Sequence, residues 1–167
     1  SRFIVLQNDP RFRALIIGLF LGVILVLGAW VSFYYRPLTS TFAPGAPTVF
    51  IDPLYPPGRW SAPFEGKQKL VQEPGYSDIY FPERYNKIRL TVNFENPQKL
   101  AFAFGVRAPA GPKLLAVPKM AREFSAVFSR SELTLVSGRL GVIFSVPELR
   151  VRQDAEFIVS RLRVEYL

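Results

Sequence analysis

The chain has 167 residues, room for one domain of ordinary size, and contains no Cys and no His. Zinc fingers, Cys- or His-based nucleophilic triads, His-ligated haem, Cys-ligated clusters and disulfides are therefore excluded. An apolar share of 49% and a mean hydropathy of +0.17 are high for a soluble domain and point to a membrane segment, while the formal charge is +8.

That segment is Ala14 to Tyr35, an uncharged run that reads ALIIGLFLGVILVLGAWVSFYY. As a helix it spans about 33 Å, matching a hydrocarbon core of roughly 30 Å. In lipid it must be helical, because every backbone donor and acceptor has to be satisfied within it. The rival is a cleaved signal peptide, but the run is long for one and Leu27-Gly28-Ala29 matches a small-x-small cleavage site poorly. Arg2, Arg11 and Arg13 precede the helix and only Arg36 follows closely, so residues 1–13 are expected in the cytoplasm and the rest outside. An excess of Arg over Lys (15 to 6) fits a GC-rich bacterial genome, which makes the membrane an inner membrane and the far side a periplasm. Ala14, Gly18 and Gly22 recur every four residues and form a small-residue stripe, a candidate helix–helix contact.

From Pro37 to Pro63 there are seven prolines in 27 residues. Proline fixes φ and lacks an amide donor, so residues 36–63 are predicted to be an extended, stiff spacer with at most a short strand at Thr48–Asp52. Phe42, Phe50, Tyr55 and Trp60 argue that the spacer lies along a surface.

Beyond it, residues 64–167 switch to period two. Lys87–Glu95 (KIRLTVNFE) and Lys99–Arg107 (KLAFAFGVR) alternate cleanly about Asn96-Pro97-Gln98, and a hairpin is predicted. Further strands are expected at Lys69–Gln72, Ile79–Phe81, Leu114–Val117, Phe124–Ser129, Leu133–Ser137, Leu140–Val146 and Phe157–Tyr166. Met120, Phe124 and Val127 also fit helical spacing, yet strand is the preferred reading there. The fold class is thus mainly β: one N-terminal transmembrane helix, then an antiparallel β-sandwich of jelly-roll or immunoglobulin-like kind.

Catalytic chemistry finds little footing. No clustered glycines open a helix, and Asp52, Asp78, Asp154 and nine glutamates form no close motif. No enzyme, cofactor or metal site is expected. Two binding features stand out. Tyr55, Trp60, Tyr76, Tyr80 and Tyr85 supply amphipathic rings for a protein partner or a glycan, or pack the spacer onto the sandwich. Arg150/Arg152 and Arg161/Arg163, at period two, make a basic stripe if their strands are neighbours, or a solvated face. Ala101, Ala103 and Gly105 present a flat strip with room for another chain or segment to lie on. Nucleic acid is disfavoured by the outward topology. The sequence suggests an accessory subunit of a membrane complex, energy-transducing or envelope machinery, with other subunits and lipid as partners. The alternative is a membrane-anchored glycan-binding module.

Overall fold

The computed structural model describes residues 10–34, 38–46 and 48–167; Arg2, Tyr35, Arg36, Pro37 and Pro47, named above, lie outside them. The chain divides into two units, residues 1–37 and 38–167.

In the first, helix α1 runs Pro10–Tyr34. It starts four residues before the uncharged run, with Pro10 at the first turn, where its missing amide costs no hydrogen bond. By length and composition it can cross a membrane. Its apolar side chains, Leu15 through Phe33, are exposed, and a methyl group at Gly18 or Gly22 would meet nothing within 4 Å.

The second unit is the β-sandwich, with two antiparallel five-stranded sheets. One is built on the last strand. β10 (Phe157–Tyr166) pairs with β4 (Lys87–Glu95) on one side, and β4 pairs with β7 (Glu123–Ser129). The other side of β10 is taken end to end by β1 (Leu38–Phe42) and β2 (Gln68–Leu70). The second sheet is built on β9 (Arg139–Ser145), flanked by β3 (Gly75–Tyr80) on one side and by β5 (Phe102–Ala108) and the short β8 (Leu135–Val136) on the other. β6 (Gly111–Val117) closes it beyond β5. Ser137-Gly138, both at positive φ (51° and 74°), makes the two-residue turn from β8 to β9.

Three sequence expectations are corrected. β4 and β5 are not a hairpin, because β4 lies in the β10 sheet and β5 in the β9 sheet. Their apolar faces do meet, but across the core: Phe94 and Phe102 are 4.9 Å apart, and Phe157 packs on both at 5.3 and 4.4 Å. Asn96 shapes the crossing by accepting from the Leu100 amide and donating to its carbonyl (2.8 and 2.9 Å). Residues 38–63 are not a spacer outside the domain. β1 is a full strand of the sandwich, and Ile51, Leu54 and Trp60 are buried in its core. Thr48–Asp52 contributes only a bridge, Ile51 to Ile79. Pro118–Phe128, by contrast, is a loop leading into strand β7, as preferred.

Trp60 fastens the proline-rich segment. Its ring lies edge-on to Phe144 at 5.6 Å, its Nε1 donates to the Tyr55 carbonyl at 3.1 Å, and its flat side covers Gly75. A methyl at Gly75 would overlap the Trp60 ring and Leu70. Gly75→Ala is therefore expected to destabilise the full chain by about 1–3 kcal/mol. Gly58→Ala, facing open space, should shift stability little. Thermal unfolding followed by near-ultraviolet circular dichroism distinguishes the two; equal midpoints would contradict this packing.

Candidate functional site

Alternation along β3 and β9 buries Ser77, Ile79, Leu140, Val142 and Phe144 and turns Tyr76, Asp78, Tyr80, Arg139, Gly141, Ile143 and Ser145 to the outer face. Register then sets three cross-sheet rows. Tyr55 bridges to Tyr76 through two backbone hydrogen bonds of 2.9 Å, Tyr76 lies opposite Ile143, and Ile143 lies opposite Gly105. Asp78 lies opposite Gly141, over which the Arg107 guanidinium extends from β5 at 3.2–3.3 Å from where a side chain would begin. Tyr80 lies opposite Arg139, which donates to Asp52 at 2.7 Å.

The Tyr55 and Tyr76 rings sit 5.7 Å apart at 31°, with the Arg59 guanidinium 5.9 Å from the Tyr76 centroid. Tyr55 donates its hydroxyl to Asp78 Oδ2 at 3.0 Å. The Arg107 guanidinium and the Tyr76 hydroxyl have no hydrogen bond or ion pair among the described residues, so both are available to a ligand. At the end of the face, Glu73 is buried and held by Ser145 Oγ (2.8 Å) and Arg150 Nε (2.5 Å). The arrangement combines ring faces, a carboxylate acceptor and a guanidinium donor that lies over Gly141, where a side chain would displace it. It suits a polar, hydroxyl-rich ligand and offers no nucleophile–base pair.

The structure divides the aromatic residues singled out from sequence. Tyr55 and Tyr76 share the face and Tyr80 is exposed on it. Trp60 and Tyr85 are buried in the core, Tyr85 against Tyr166 at 5.5 Å, and take no part. The basic stripe does not form. Arg150 belongs to a 3-10 turn (Pro147–Arg150) and Arg152 to the loop after it; they pair with Glu73 and with Asp154, the latter at 3.2 Å. Pro147 stops β9, which is why period two fails there. Arg161 and Arg163 do share one face, on the β10 sheet, where Arg163 pairs with Glu165 at 2.5 Å. The strip Ala101, Ala103, Gly105 is closed by its own chain only at Gly105, where the Lys113 carbonyl and Leu114 lie over it; Ala101 is exposed and its amide donates to Glu148 Oε1 at 2.9 Å. Sequence reasoning missed Asp78 and Arg107. Both were within reach, since Tyr76, Asp78 and Tyr80 alternate on one face and Arg107 is two residues beyond Gly105.

No family model and no curated protein matches this sequence. Among solved structures, a carbohydrate-binding module in complex with β-1,4-galactotriose is similar over 78% of this chain and 88% of that one, with 9% identity and a TM-score of 0.38. At that level the galactotriose belongs to that protein alone.

Burial first, and then the hydrogen bond and negative charge of Asp78, push the Tyr55 phenol from 10.0 up to about 12, against the pull of Arg107. A folded pKa above the unfolded one contributes stability that is complete below pH 10 and disappears as pH rises through about 12. Tyr55→Phe is therefore expected to flatten the alkaline decline in stability across that window. It should also remove a phenolate that titrates near 12 in ultraviolet difference spectra. Loss of one titrating near 10.0 instead would contradict the geometry.

Proposed function

We propose that this protein is a non-catalytic recognition module, tethered by α1 to the inner membrane of a bacterium, with its N-terminus in the cytoplasm and its sandwich in the periplasm. The outer face of the β9 sheet takes a saccharide chain. The observation that carries this reading is the pairing of the Tyr76 ring and the unpartnered Arg107 guanidinium beside the Asp78 carboxylate on one exposed face. Ring faces stack on the C–H faces of pyranoses, while a carboxylate and a guanidinium satisfy vicinal hydroxyls. Charge flanking the apolar run supports the orientation. The lack of His and Cys supports the non-catalytic assignment.

A second reading, an accessory subunit of a membrane complex, is favoured by the uncovered Ala14, Gly18 and Gly22 stripe on α1. The two readings place the contact in different units of the chain, which makes them separable.

The test is a glycan array probed with the full chain in non-ionic detergent, alongside mass spectrometry of what co-purifies. Binding to at least one oligosaccharide is expected, weakened about tenfold or more by Tyr76→Ala or Arg107→Ala. An array without signal, together with stoichiometric membrane proteins lost on Gly18→Leu/Gly22→Leu, would replace the saccharide reading with the subunit one.

A further inference from the structure

The opposite face of the sandwich carries a different chemistry. Outward residues of the β10 sheet are mostly polar, with Val127 an exception: Thr91, Asn93 and Ser125 from β4 and β7, Arg161, Arg163 and Glu165 from β10. At the end of this sheet away from Leu38, a groove of about 650 Å³ opens between β4, β10 and the loop before β7. Lys99, Lys119 and Arg122 line it, and their side chains have no hydrogen bond or ion pair among the described residues. The lining carboxylates are already neutralised from outside, Glu95 by Lys67 at 2.6 Å and Glu156 by Lys69 at 2.9 Å. Glu123, next to the groove, accepts from Asn93 Nδ2 at 2.7 Å and keeps its negative charge. Arg161, opposite Asn93 in register, adds a further unpaired cation beside it. Four cations without an ion pair among the described residues, Lys99, Lys119, Arg122 and Arg161, thus stand against one such carboxylate, Glu123, and the groove is a concave surface with a positive surplus.

Two backbone features mark the same place. Lys99 holds φ 54°, in the left-handed region where glycine is the ordinary occupant. Between Val159 and Arg161, β10 bulges at Ser160, which lines the groove and donates to the Asn93 carbonyl at 3.2 Å.

We propose that this groove is a second binding site, for the anionic groups of a linear polymer, carboxylate or phosphate. The ligand bridges Lys99, Lys119 and Arg122, and Met120 (74% exposed) supplies an apolar edge beside them. The site is independent of the saccharide face, from which it is separated by the core.

The full chain in non-ionic detergent is titrated into fluorescein-labelled polygalacturonate, into labelled inorganic polyphosphate and into labelled neutral dextran, at several salt concentrations. Binding to one polyanion, or to both, with none to dextran and with affinity that falls as salt rises, supports the site. One polyanion identifies the anion read; both mean that charge alone is read. Lys119→Ala/Arg122→Ala is expected to weaken binding about tenfold or more and to flatten the salt dependence. Lys99→Gly, which relieves the backbone, should weaken it while preserving the thermal midpoint. Arg152→Ala and Tyr76→Ala, both outside the groove, should leave it unchanged. Absence of binding to either polyanion, or binding that survives the double substitution, overturns the proposal whatever the glycan array shows.

Discussion

The pairing of β1 with β10 is the constraint on which the rest of the sandwich depends. Five residues at the start of the proline-rich stretch, Leu38 to Phe42, lie antiparallel to Leu162–Tyr166, joining the start of the domain to its end. Once β1 is seated, the prolines that follow need not span open solvent. They run along the edge between the sheets, bridging to β3 at Ile51 and Tyr55 and to β2 at Trp60. Covering that edge protects the backbone groups of β2 and β3 that would otherwise invite pairing with another chain. It also delivers Tyr55 beside Tyr76, so the candidate binding face is partly made of the segment that the prolines hold extended. Tyr166 secures the same region from within: it is fully buried and donates to the Tyr80 carbonyl at 2.5 Å.

Local structure was legible where side chains alternate between core and solvent. Lys87–Glu95 and Phe157–Tyr166 are strands with the boundaries that their period-two pattern indicates. Partner choice was not legible, and β4 with β5 shows why. Two alternating runs around Asn-Pro-Gln are compatible with a hairpin and with a crossing between sheets, since both geometries aim the same residues at the same core. Which one forms depends on the distant strands β10, β7 and β9 that claim each edge. β1 was hidden for a different reason. Its sequence, LTSTF, is mostly polar and sits among prolines, and its outward threonines are stabilised by a sheet that only the C-terminus completes. The binding face was half legible. Aromatic residues at 55 and 76 stood out, whereas Trp60 and Tyr85 looked identical in sequence and are core. Arg150 and Arg152 misled because a 3-10 turn, opened by Pro147, breaks the alternation that placed them on a strand.

The two outer faces divide the chemistry of the chain. On the β9 sheet, Gly141 lets the Arg107 guanidinium lie close to the backbone, beside Asp78 and the tyrosines. On the β10 sheet, threonines, asparagine and arginines make a hydrated surface whose acids are mostly spent on neighbouring cations, as in Arg89 to Glu165 at 2.6 Å and Arg163 to Glu165 at 2.5 Å. Exposed pairs of this kind add little stability. Their consequence is positional: they absorb the negative charge and leave the excess of the +8 chain on unpaired residues such as Arg107, Lys119, Arg122 and Arg161. Both proposed sites draw on that surplus.

Because the chain contains no cysteine, one introduced pair can report the central contact without background. Thr41 and Arg163 are direct partners across β1 and β10, and both side chains face outward. Opposed residues of an antiparallel pair have Cα atoms about 4.5–5.5 Å apart, within the range a disulfide requires. Thr41→Cys/Arg163→Cys is expected to cross-link under mild oxidation in the folded full chain, detected by mass spectrometry of the intact linkage. A Thr41→Cys/Arg122→Cys control should remain reduced. If the first pair stays open while the sandwich is folded, residues 38–63 are a free spacer after all and the face at Tyr55 and Tyr76 does not exist.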